Sequence, residues 1–232
     1  MQSLPSGYRA LVIGASGGIG AAIVQHLEQD EHCARVYALS RSSQPAVDYD
    51  NESSIADAAK QLQQDGPLHL IIVATGMLHD SHGMPEKRLA QLNYDQMLAS
   101  FRTNTMGPAL VLAKFIPLLA QRERSLLGVL SAKVGSIRDN RLGGWYSYRA
   151  SKAALNMLLK TASIEISRTH PNTILAALHP GTVDTGLSAP FKGAQIGRSP
   201  DLAARDLLQV MDGLQPSESG GFWAYDGKPL PW

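Results

Sequence analysis

The chain has 232 residues, of which 44% are hydrophobic and 18% charged, and its net charge is +1. A balance this close to neutral argues against nucleic acid or an anionic membrane surface as a partner. The longest apolar stretch, 106–120, is interrupted by Lys114 and Pro117 and is too short to span a bilayer. The length suits one α/β domain with a sizeable core.

The N-terminal residues lack the basic start and apolar core of a signal peptide. Cys33 is the only cysteine, so the chain cannot form an internal disulfide. Both features favour a reducing compartment, and we expect a cytoplasmic protein.

Apolar segments of strand length alternate with longer segments of helical pattern along the whole chain. Several of the short segments are apolar on both faces, as the strands of a covered parallel sheet must be. This alternation predicts a mainly parallel sheet with helices on both faces, in one domain covering 1–232. The expected strands are 9–13, 35–39, 68–74, 126–131, 174–179 and 222–225, and the expected helices are 18–30, 53–64, 95–120, 146–169 and 200–214.

A glycine-rich turn lies between the first strand and the first helix, from residue 14 to residue 20. Such a turn brings free N–H groups and the positive end of a helix to one point, which suits a phosphate. The glycines let the backbone approach a pyrophosphate closely. We therefore predict a dinucleotide site here, with candidate contacts Gly14, Ser16, Gly18, Ile19 and Gly20.

The end of the second strand bears on the choice of dinucleotide. Folds that bind NAD place an acidic residue there to hold the ribose 2′-hydroxyl, whereas an arginine suits a 2′-phosphate. This chain has Ser40 and Arg41 at that point, followed by two more serines. A guanidinium is a planar, permanently charged fork and the hydroxyls can bond the same phosphate. The pattern predicts NADP(H) rather than NAD, with an ordinary exposed loop arginine as the alternative.

Tyr148 and Lys152 are four residues apart in the predicted helix 146–169 and so lie on one face. A nearby ammonium favours phenolate and lowers the pKa of a phenol. A tyrosine tuned in this way can donate or accept a proton at a carbonyl or alcohol. The same spacing occurs on many ordinary helices, so the interpretation depends on the other motifs.

Together these residues resemble the short-chain dehydrogenase/reductase family, in its shorter single-domain branch, and the similarity extends over essentially the whole chain. Gly14, Gly18 and Gly20 match that family's Gly-x3-Gly-x-Gly turn, and Tyr148 and Lys152 match its Tyr-x3-Lys. Segments 131–137 and 225–232 are similar to the C-factor-like and sniffer-like carbonyl reductases. The resemblance implies a doubly wound Rossmann fold with about seven strands.

The resemblance also implies roles for residues outside these motifs. Asp48 would end a short third strand and bind the adenine, and Asn104 would belong to the catalytic set. The remaining cofactor contacts implied by the resemblance are Ala74, Thr75 and Gly76, in the place of the family's Asn-Asn-Ala-Gly segment, and Pro180, Gly181, Val183 and Thr185, in the segment that contacts the nicotinamide amide.

Two departures from the family pattern concern the sheet and the catalytic serine. Val73 and Ala74 replace two asparagines that support the central sheet. Ser131 and Ala132 stand where the family has two serines, so alanine occupies the usual catalytic place. Adjacent strand residues face opposite sides, so Ser131 can substitute only if the strand has begun to turn. Ser131 is our predicted catalytic serine, with Ser136 as the alternative.

The implied reaction is hydride transfer between NADP(H) and the carbonyl or alcohol carbon of a small molecule. Trp145 and the apolar residues of a predicted lid, 181–198, suggest an apolar substrate, unless they are core or dimer contacts. His79 and His82 flank Asp80 without a further ligand, so no metal site is predicted. The family's long helices imply a homodimer or homotetramer.

Two other functions are compatible with parts of the sequence. A sensor or signalling protein that binds NADP(H) with little turnover is favoured by the missing serine and disfavoured by Tyr148, Lys152 and Asn104. An epimerase or dehydratase acting on a nucleotide sugar is disfavoured by the short region that follows Gly181.

Overall fold

The computed structural model describes residues 1–79 and 83–232. Within them, six strands form one sheet in which every neighbouring pair is parallel. The strands are β1 (Tyr8–Ile13), β2 (Cys33–Leu39), β3 (Leu70–Val73), β4 (Ser125–Leu130), β5 (Thr173–His179) and β6 (Gly221–Ala224). Their order across the sheet is β2-β1-β3-β4-β5-β6.

Helices follow the strands along the chain and cover the sheet. The described α-helices are α1 (Gly18–Glu28), α2 (Glu52–Gln63), α3 (Tyr94–Phe101), α4 (Gly107–Phe115), α5 (Tyr146–Ile166), α6 (Gly193–Ile196) and α7 (Pro200–Gly213). Ser199 begins α7 as predicted, because its side chain accepts the Leu202 N–H and Pro200 follows at the first helical position.

Two hydrophobic cores lie on opposite faces of the sheet. Leu11 and Ile13 of β1 pack with residues of α2, α4 and α5, whereas Ala10 and Val12 pack with residues of α1 and α7. β3 and β4 are buried along their whole length. The predicted doubly wound Rossmann fold is therefore confirmed.

The sheet has six strands rather than the seven expected, because the short strand predicted to end at Asp48 does not form. The Val47 N–H donates to the Ser40 carbonyl at 2.9 Å, and the Asp48 N–H donates to the Ser54 hydroxyl at 2.9 Å. The N–H groups that a strand here would have donated to β2 are thus bonded to a turn carbonyl and to a side chain of α2 instead. β2 is consequently the edge strand on this side of the sheet, and β6 is the edge strand on the other side.

The helix predicted over 95–120 is divided. α3 ends at Phe101, a π-helical turn covers Arg102–Met106, α4 follows, and Ile116–Leu118 is a 3₁₀ turn. Pro108 has no N–H to donate to the carbonyl of Asn104 four residues earlier. The Gly107 N–H instead reaches the Arg102 carbonyl, five residues back. Single π turns of this kind are frequent at functional sites.

The segment 181–198 is a loop whose two ends are joined by backbone hydrogen bonds. The Asp184 N–H donates to the Arg198 carbonyl and the Arg198 N–H to the Thr182 carbonyl, both at 2.9 Å. Between these points lie a 3₁₀ turn, Ala189–Phe191, and α6. Among the described residues, no helix combines the length and apolar character needed to cross a bilayer.

Candidate active site

The predicted site residues gather at the carboxyl edge of the sheet. Gly14 directly follows β1, Ser40 follows β2, Ala74 follows β3, Ser131 follows β4 and Pro180 follows β5. Ligands of open parallel sheets bind outside this edge. The fold therefore assembles residues from five separate parts of the chain into one cleft.

The glycine turn has the close packing that a phosphate site requires. Gly14 has a φ of 87°, which favours glycine, and its N–H donates to the Leu39 carbonyl at 2.9 Å. A Cβ on Gly20 would overlap the Gly14 carbonyl oxygen. The N-cap residue of α1, Gly17, has no side chain to cap the first N–H groups of the helix. Ser16 lies exposed beside them, and Ile19 is half-buried. Free N–H groups at a helix start suit an anion.

The loop after β2 presents Arg41 to solvent. In the described part of the chain, Arg41 forms no ion pair with a carboxylate. The Ser40 hydroxyl lies 3.2 Å from the Ser42 hydroxyl, and the Ser40 N–H donates to the Ser43 hydroxyl at 2.8 Å. A cation beside clustered hydroxyls can receive a phosphate group. Asp48 is half-buried, and its Oδ1 accepts the Asp50 N–H.

A tyrosine supports the segment that has lost the two asparagines. The Tyr49 and Thr75 hydroxyls are 3.0 Å apart. The Tyr49 ring fills the space that a side chain on Gly107 would need. Burial raises the pKa of Tyr49. This contact ties the residues after β3 to α4, and no local sequence pattern predicts it.

Asn104 is held between two parts of the cleft. Its Oδ1 accepts the Met77 N–H at 2.9 Å, and its Nδ2 donates to the Met77 carbonyl at 2.8 Å and to the Ser151 hydroxyl at 3.2 Å. A Cβ on Gly76 would lie 3.7 Å from both Asn104 Oδ1 and Lys152 Nζ. Gly76, Asn104 and Lys152 therefore meet at one point.

Lys152 is buried, with 2% of its surface exposed, and its Nζ donates to the Leu130 carbonyl at 2.8 Å. Tyr148 lies one turn earlier on α5 and is partly buried. The Lys152 Nζ is 6.0 Å from the centroid of the Tyr148 ring. Burial lowers the pKa of Lys152 to about 7 and raises the pKa of Tyr148 to about 12.

The pKa of Tyr148 is opposite in direction to the lowered pKa expected from the sequence. Loss of solvent around the phenolate outweighs the attraction of an ammonium 6.0 Å from the ring centroid. That ammonium is itself close to losing its proton at neutral pH. Tyr148 is consequently protonated at neutral pH, as a proton donor must be.

The two candidate serines occupy different surroundings. The Ser131 hydroxyl donates to Oδ1 of Asn156 at 2.6 Å, and Asn156 lies one turn beyond Lys152 on α5. The Ser136 hydroxyl accepts the Asp139 N–H at 3.1 Å and is turned towards the following loop. Ser131 therefore contacts α5 at Asn156, two turns beyond Tyr148, whereas Ser136 follows Gly135, which packs on Lys152.

The segment after β5 reaches the glycine turn. Gly181 has a φ of 79°, and a Cβ there would lie 2.9 Å from the Tyr225 ring. Val183 is buried. The Thr185 methyl group would lie 2.8 Å from a Cβ on Gly18. The segment that begins at Pro180 is thus packed against the glycine turn through Thr185.

Aromatic side chains connect the lid to Tyr148. The Trp145 and Phe191 rings meet edge to face with centroids 5.1 Å apart, and Trp145 meets Tyr148 in the same way at 6.2 Å. The Phe191 centroid is 6.0 Å from that of His79. A methyl group of Leu187 would lie 3.8 Å from a Cβ on Gly76, so segment 181–198 reaches the residues that follow β3.

No three side chains of His, Cys, Asp or Glu in the described ranges lie close enough to hold a metal ion. His79 belongs to those ranges, whereas Asp80 and His82 lie outside the described residues.

Three residues near the cleft were missed by sequence reasoning: Asn156, Tyr49 and Glu86. Asn156 follows Lys152 by four residues, so helical spacing could have placed it on the same face. Tyr49 and Glu86 carry no local signal, because their partners are distant in sequence.

The sequence model of a family described as short chain dehydrogenase matches residues 8–195. The chain belongs to this family. A 1-hydroxy-2-glutathionyl-2-methyl-3-butene dehydrogenase of Rhodococcus sp. (strain AD45) is 32% identical to this short-chain dehydrogenase over 231 residues, covering 96% of this chain and 98% of that protein. C-signal of Myxococcus xanthus is 36% identical over 144 residues, 62% of this chain and 83% of that protein.

Solved structures agree with this family assignment. An NADPH-bound carbonyl reductase from chicken fatty liver superposes with a TM-score of 0.84 at 26% identity, covering 99% of this chain and 100% of that one. The carbonyl reductase Sniffer of D. melanogaster has a TM-score of 0.83 at 21% identity, covering 97% and 99%. The resemblance to C-factor-like and sniffer-like proteins is confirmed, the second at the level of the fold.

The burial of Lys152 predicts a pH dependence of stability. Between a pKa of about 7 when folded and 10.5 when unfolded, the unfolded chain binds a proton that the folded chain does not. The free energy of unfolding should therefore gain a term that rises with pH in this window, by at most about 1.4 kcal/mol per pH unit. Urea unfolding gives the free energy of unfolding of the wild type and of Lys152→Met at several pH values. The difference between the two proteins at each pH is the contribution of Lys152. Lys60→Met, which alters an exposed lysine, is the control. If the free energy of unfolding rose equally with pH in the wild type and in Lys152→Met, the lowered pKa of Lys152 would be contradicted.

Proposed function

We propose that this short-chain dehydrogenase is an NADPH-dependent reductase of carbonyl groups in small, apolar molecules. The observation that carries the proposal is the pairing of a protonated Tyr148 with a buried Lys152 beside Asn104 and Gly76, at the carboxyl edge of the sheet. Reduction needs a proton donor at the carbonyl oxygen, and a phenol with a pKa of about 12 is a donor at neutral pH.

NADP(H) is the proposed cofactor. The glycine turn is packed too closely for side chains at Gly14 and Gly20, so its backbone is bare, and the N-cap residue Gly17 has no side chain to cap the first N–H groups of α1. Arg41 and the serine hydroxyls around it suit a 2′-phosphate. Among the structural neighbours, the chicken liver carbonyl reductase contains NADPH, which supports the choice.

The residues of the cleft divide the proton chemistry among them. When bound, the nicotinamide supplies a hydride to the carbonyl carbon. Tyr148 donates its proton to the carbonyl oxygen, so that the product is an alcohol. Lys152, with a pKa of about 7, can return a proton to Tyr148 and hold ribose hydroxyls. To polarise the carbonyl, the Ser131 hydroxyl turns its proton from Asn156 Oδ1 to the substrate oxygen. Asn104 positions the segment at Gly76.

The lid explains the preference for an apolar substrate. Segment 181–198 carries Phe191 against Trp145, and Leu187 approaches Gly76. These side chains close the outer side of the cleft with apolar surface, which favours a ligand without charge.

A second candidate is a sensor that binds NADP(H) with little turnover. Ala132 in the usual serine position favours it, as does the use of the Ser131 hydroxyl as a donor to Asn156. Turnover of a panel of aldehydes, ketones and quinones with NADPH distinguishes the two functions.

Removal of the Tyr148 hydroxyl should abolish reduction. We expect Tyr148→Phe to lower kcat by about 10²-fold or more, and Ser131→Ala by about 10²-fold, with little change in NADPH affinity. Ser136→Ala is compared with Ser131→Ala: a kcat within about twofold of the wild type supports Ser131, and a larger loss than that of Ser131→Ala assigns the role to Ser136. NADPH oxidation with an aldehyde substrate measures the three variants. Near-normal turnover by Tyr148→Phe would reject the mechanism.

The role of Arg41 is tested by cofactor choice. Loss of a charged hydrogen bond to the 2′-phosphate should raise KM for NADPH by about 10- to 100-fold in Arg41→Ala and leave KM for NADH unchanged. Arg168→Ala, which alters an exposed arginine in the turn after α5, is the control. Equal effects of Arg41→Ala on both cofactors would remove the argument for NADP(H).

A homodimer or homotetramer, in the cytoplasm, completes the proposal. Met157 and Ile164 of α5 are 67% and 56% exposed, and Met106 is 50% exposed, so large apolar side chains face outwards. The single, half-buried Cys33 suits a reducing compartment. Light scattering should give a mass of at least twice 24.9 kDa, and Met157→Glu should lower it. A monomeric wild type would contradict this assembly.

A further inference from the structure

Glu86 is a buried carboxylate that belongs to none of the motifs above. Only 2% of its surface is exposed. Its Oε2 accepts the Ser147 N–H at 3.2 Å, and its Oε1 accepts the Ser147 hydroxyl. Its main-chain carbonyl accepts the Trp145 N–H at 2.5 Å. One residue of the loop before α3 thus bonds the chain on both sides of Tyr146, where α5 begins.

These bonds replace a missing helix cap. The residue before a helix commonly accepts the N–H of the second or third helical residue through its own side chain. Trp145 occupies that position and has no side-chain acceptor. Glu86 accepts the N–H of Ser147, the second residue of α5, from a distant loop. A negative charge at this end of a helix is also favourable to the helix dipole.

The backbone that Glu86 holds is in a left-handed conformation. Gly143, Gly144 and Trp145 have φ values of 63°, 65° and 53°. For a residue as bulky as tryptophan this costs of order 1–3 kcal/mol and persists only where the surroundings fix it. Arg149 fixes the turn from the other side, since its guanidinium donates to the Gly144 carbonyl at 2.9 Å and to the Gly143 carbonyl at 3.1 Å.

The held turn determines where Tyr148 lies. Ser147 precedes Tyr148 directly, and the Trp145 ring packs against the Tyr148 ring with centroids 6.2 Å apart. Glu86, Ser147 and Tyr148 line the same small cavity beside Leu78. A displacement of about 1 Å at a reacting group can cost about 10²-fold in rate.

We propose that Glu86 is a positioning residue for Tyr148, acting through the N–H groups of Trp145 and Ser147. The proposal rests on the proposed function for its effect on turnover, but not for its effect on the tyrosine itself. Glu86 touches neither substrate nor cofactor in this assignment, and its carboxylate determines the orientation of the first turn of α5.

The test compares Glu86→Met, which has no acceptor for Ser147, with Glu86→Gln, which keeps one. Glu31→Gln, at an exposed loop position, is the matched control. Three quantities are measured: kcat, the Kd for NADPH, and the NMR resonance of isotope-labelled Tyr148, assigned by its loss in Tyr148→Phe. The resonance is recorded without cofactor, so it tests the positioning even if the wild type has no reductase activity.

We expect Glu86→Met to lower kcat by about 10- to 100-fold, with the Kd for NADPH within about twofold and the Tyr148 resonance shifted or broadened. Glu86→Gln should restore kcat to within about threefold of the wild type and reduce the spectral change. The proposal is overturned if the Tyr148 resonance is unchanged in Glu86→Met, or if kcat and NADPH affinity fall in parallel. If Glu86→Met does not fold, Glu86→Asp takes its place, because its shorter side chain withdraws the carboxylate from Ser147. An unshifted Tyr148 resonance in Glu86→Asp then overturns the proposal.

Discussion

The hydrogen bond from the Lys152 ammonium to the Leu130 carbonyl joins α5 to the sheet. A buried ammonium is expensive unless its protons are bonded, and the last carbonyl of β4 supplies the acceptor. Gly135 lets the chain after β4 pack against the same lysine, since a Cβ there would lie 2.9 Å from the Lys152 Cβ. The position of α5 along the sheet is thereby fixed, and Tyr148 lies one turn closer to the mouth of the cleft.

The polar side chains around this lysine are each held by a partner from another element. Asn104 bonds the main chain of Met77, Ser131 bonds Asn156, and Glu86 bonds Ser147. Groups fixed in this way before a ligand binds need little rearrangement during reaction. Two local backbone conformations that are unfavourable by themselves accompany these bonds: the π turn at Asn104 and the left-handed Trp145. Both are stabilised by the contacts that they make possible.

The errors of sequence reasoning have identifiable physical causes. The strand at Asp48 failed because Ser40 and Ser54 take the hydrogen bonds that a strand would have made. The helix predicted over 95–120 is divided in the structure because Pro108 has no N–H to donate to the Asn104 carbonyl. The pKa of Tyr148 was expected to fall, but burial outweighs the lysine charge. The first and third cases were decided by the surroundings of the residue, whereas Pro108 is visible in the sequence itself.

By itself, the sequence determined the alternation of strands and helices, the glycine turn, Arg41 at the end of β2 and the spacing of Tyr148 and Lys152. These are local patterns, and local geometry follows from neighbours in the chain. Only the tertiary structure decided that Ser131 bonds Asn156, that Tyr49 supports Thr75, and that Glu86 caps a helix 61 residues away. Such pairs depend on how helices pack on the sheet, which no short stretch of sequence specifies.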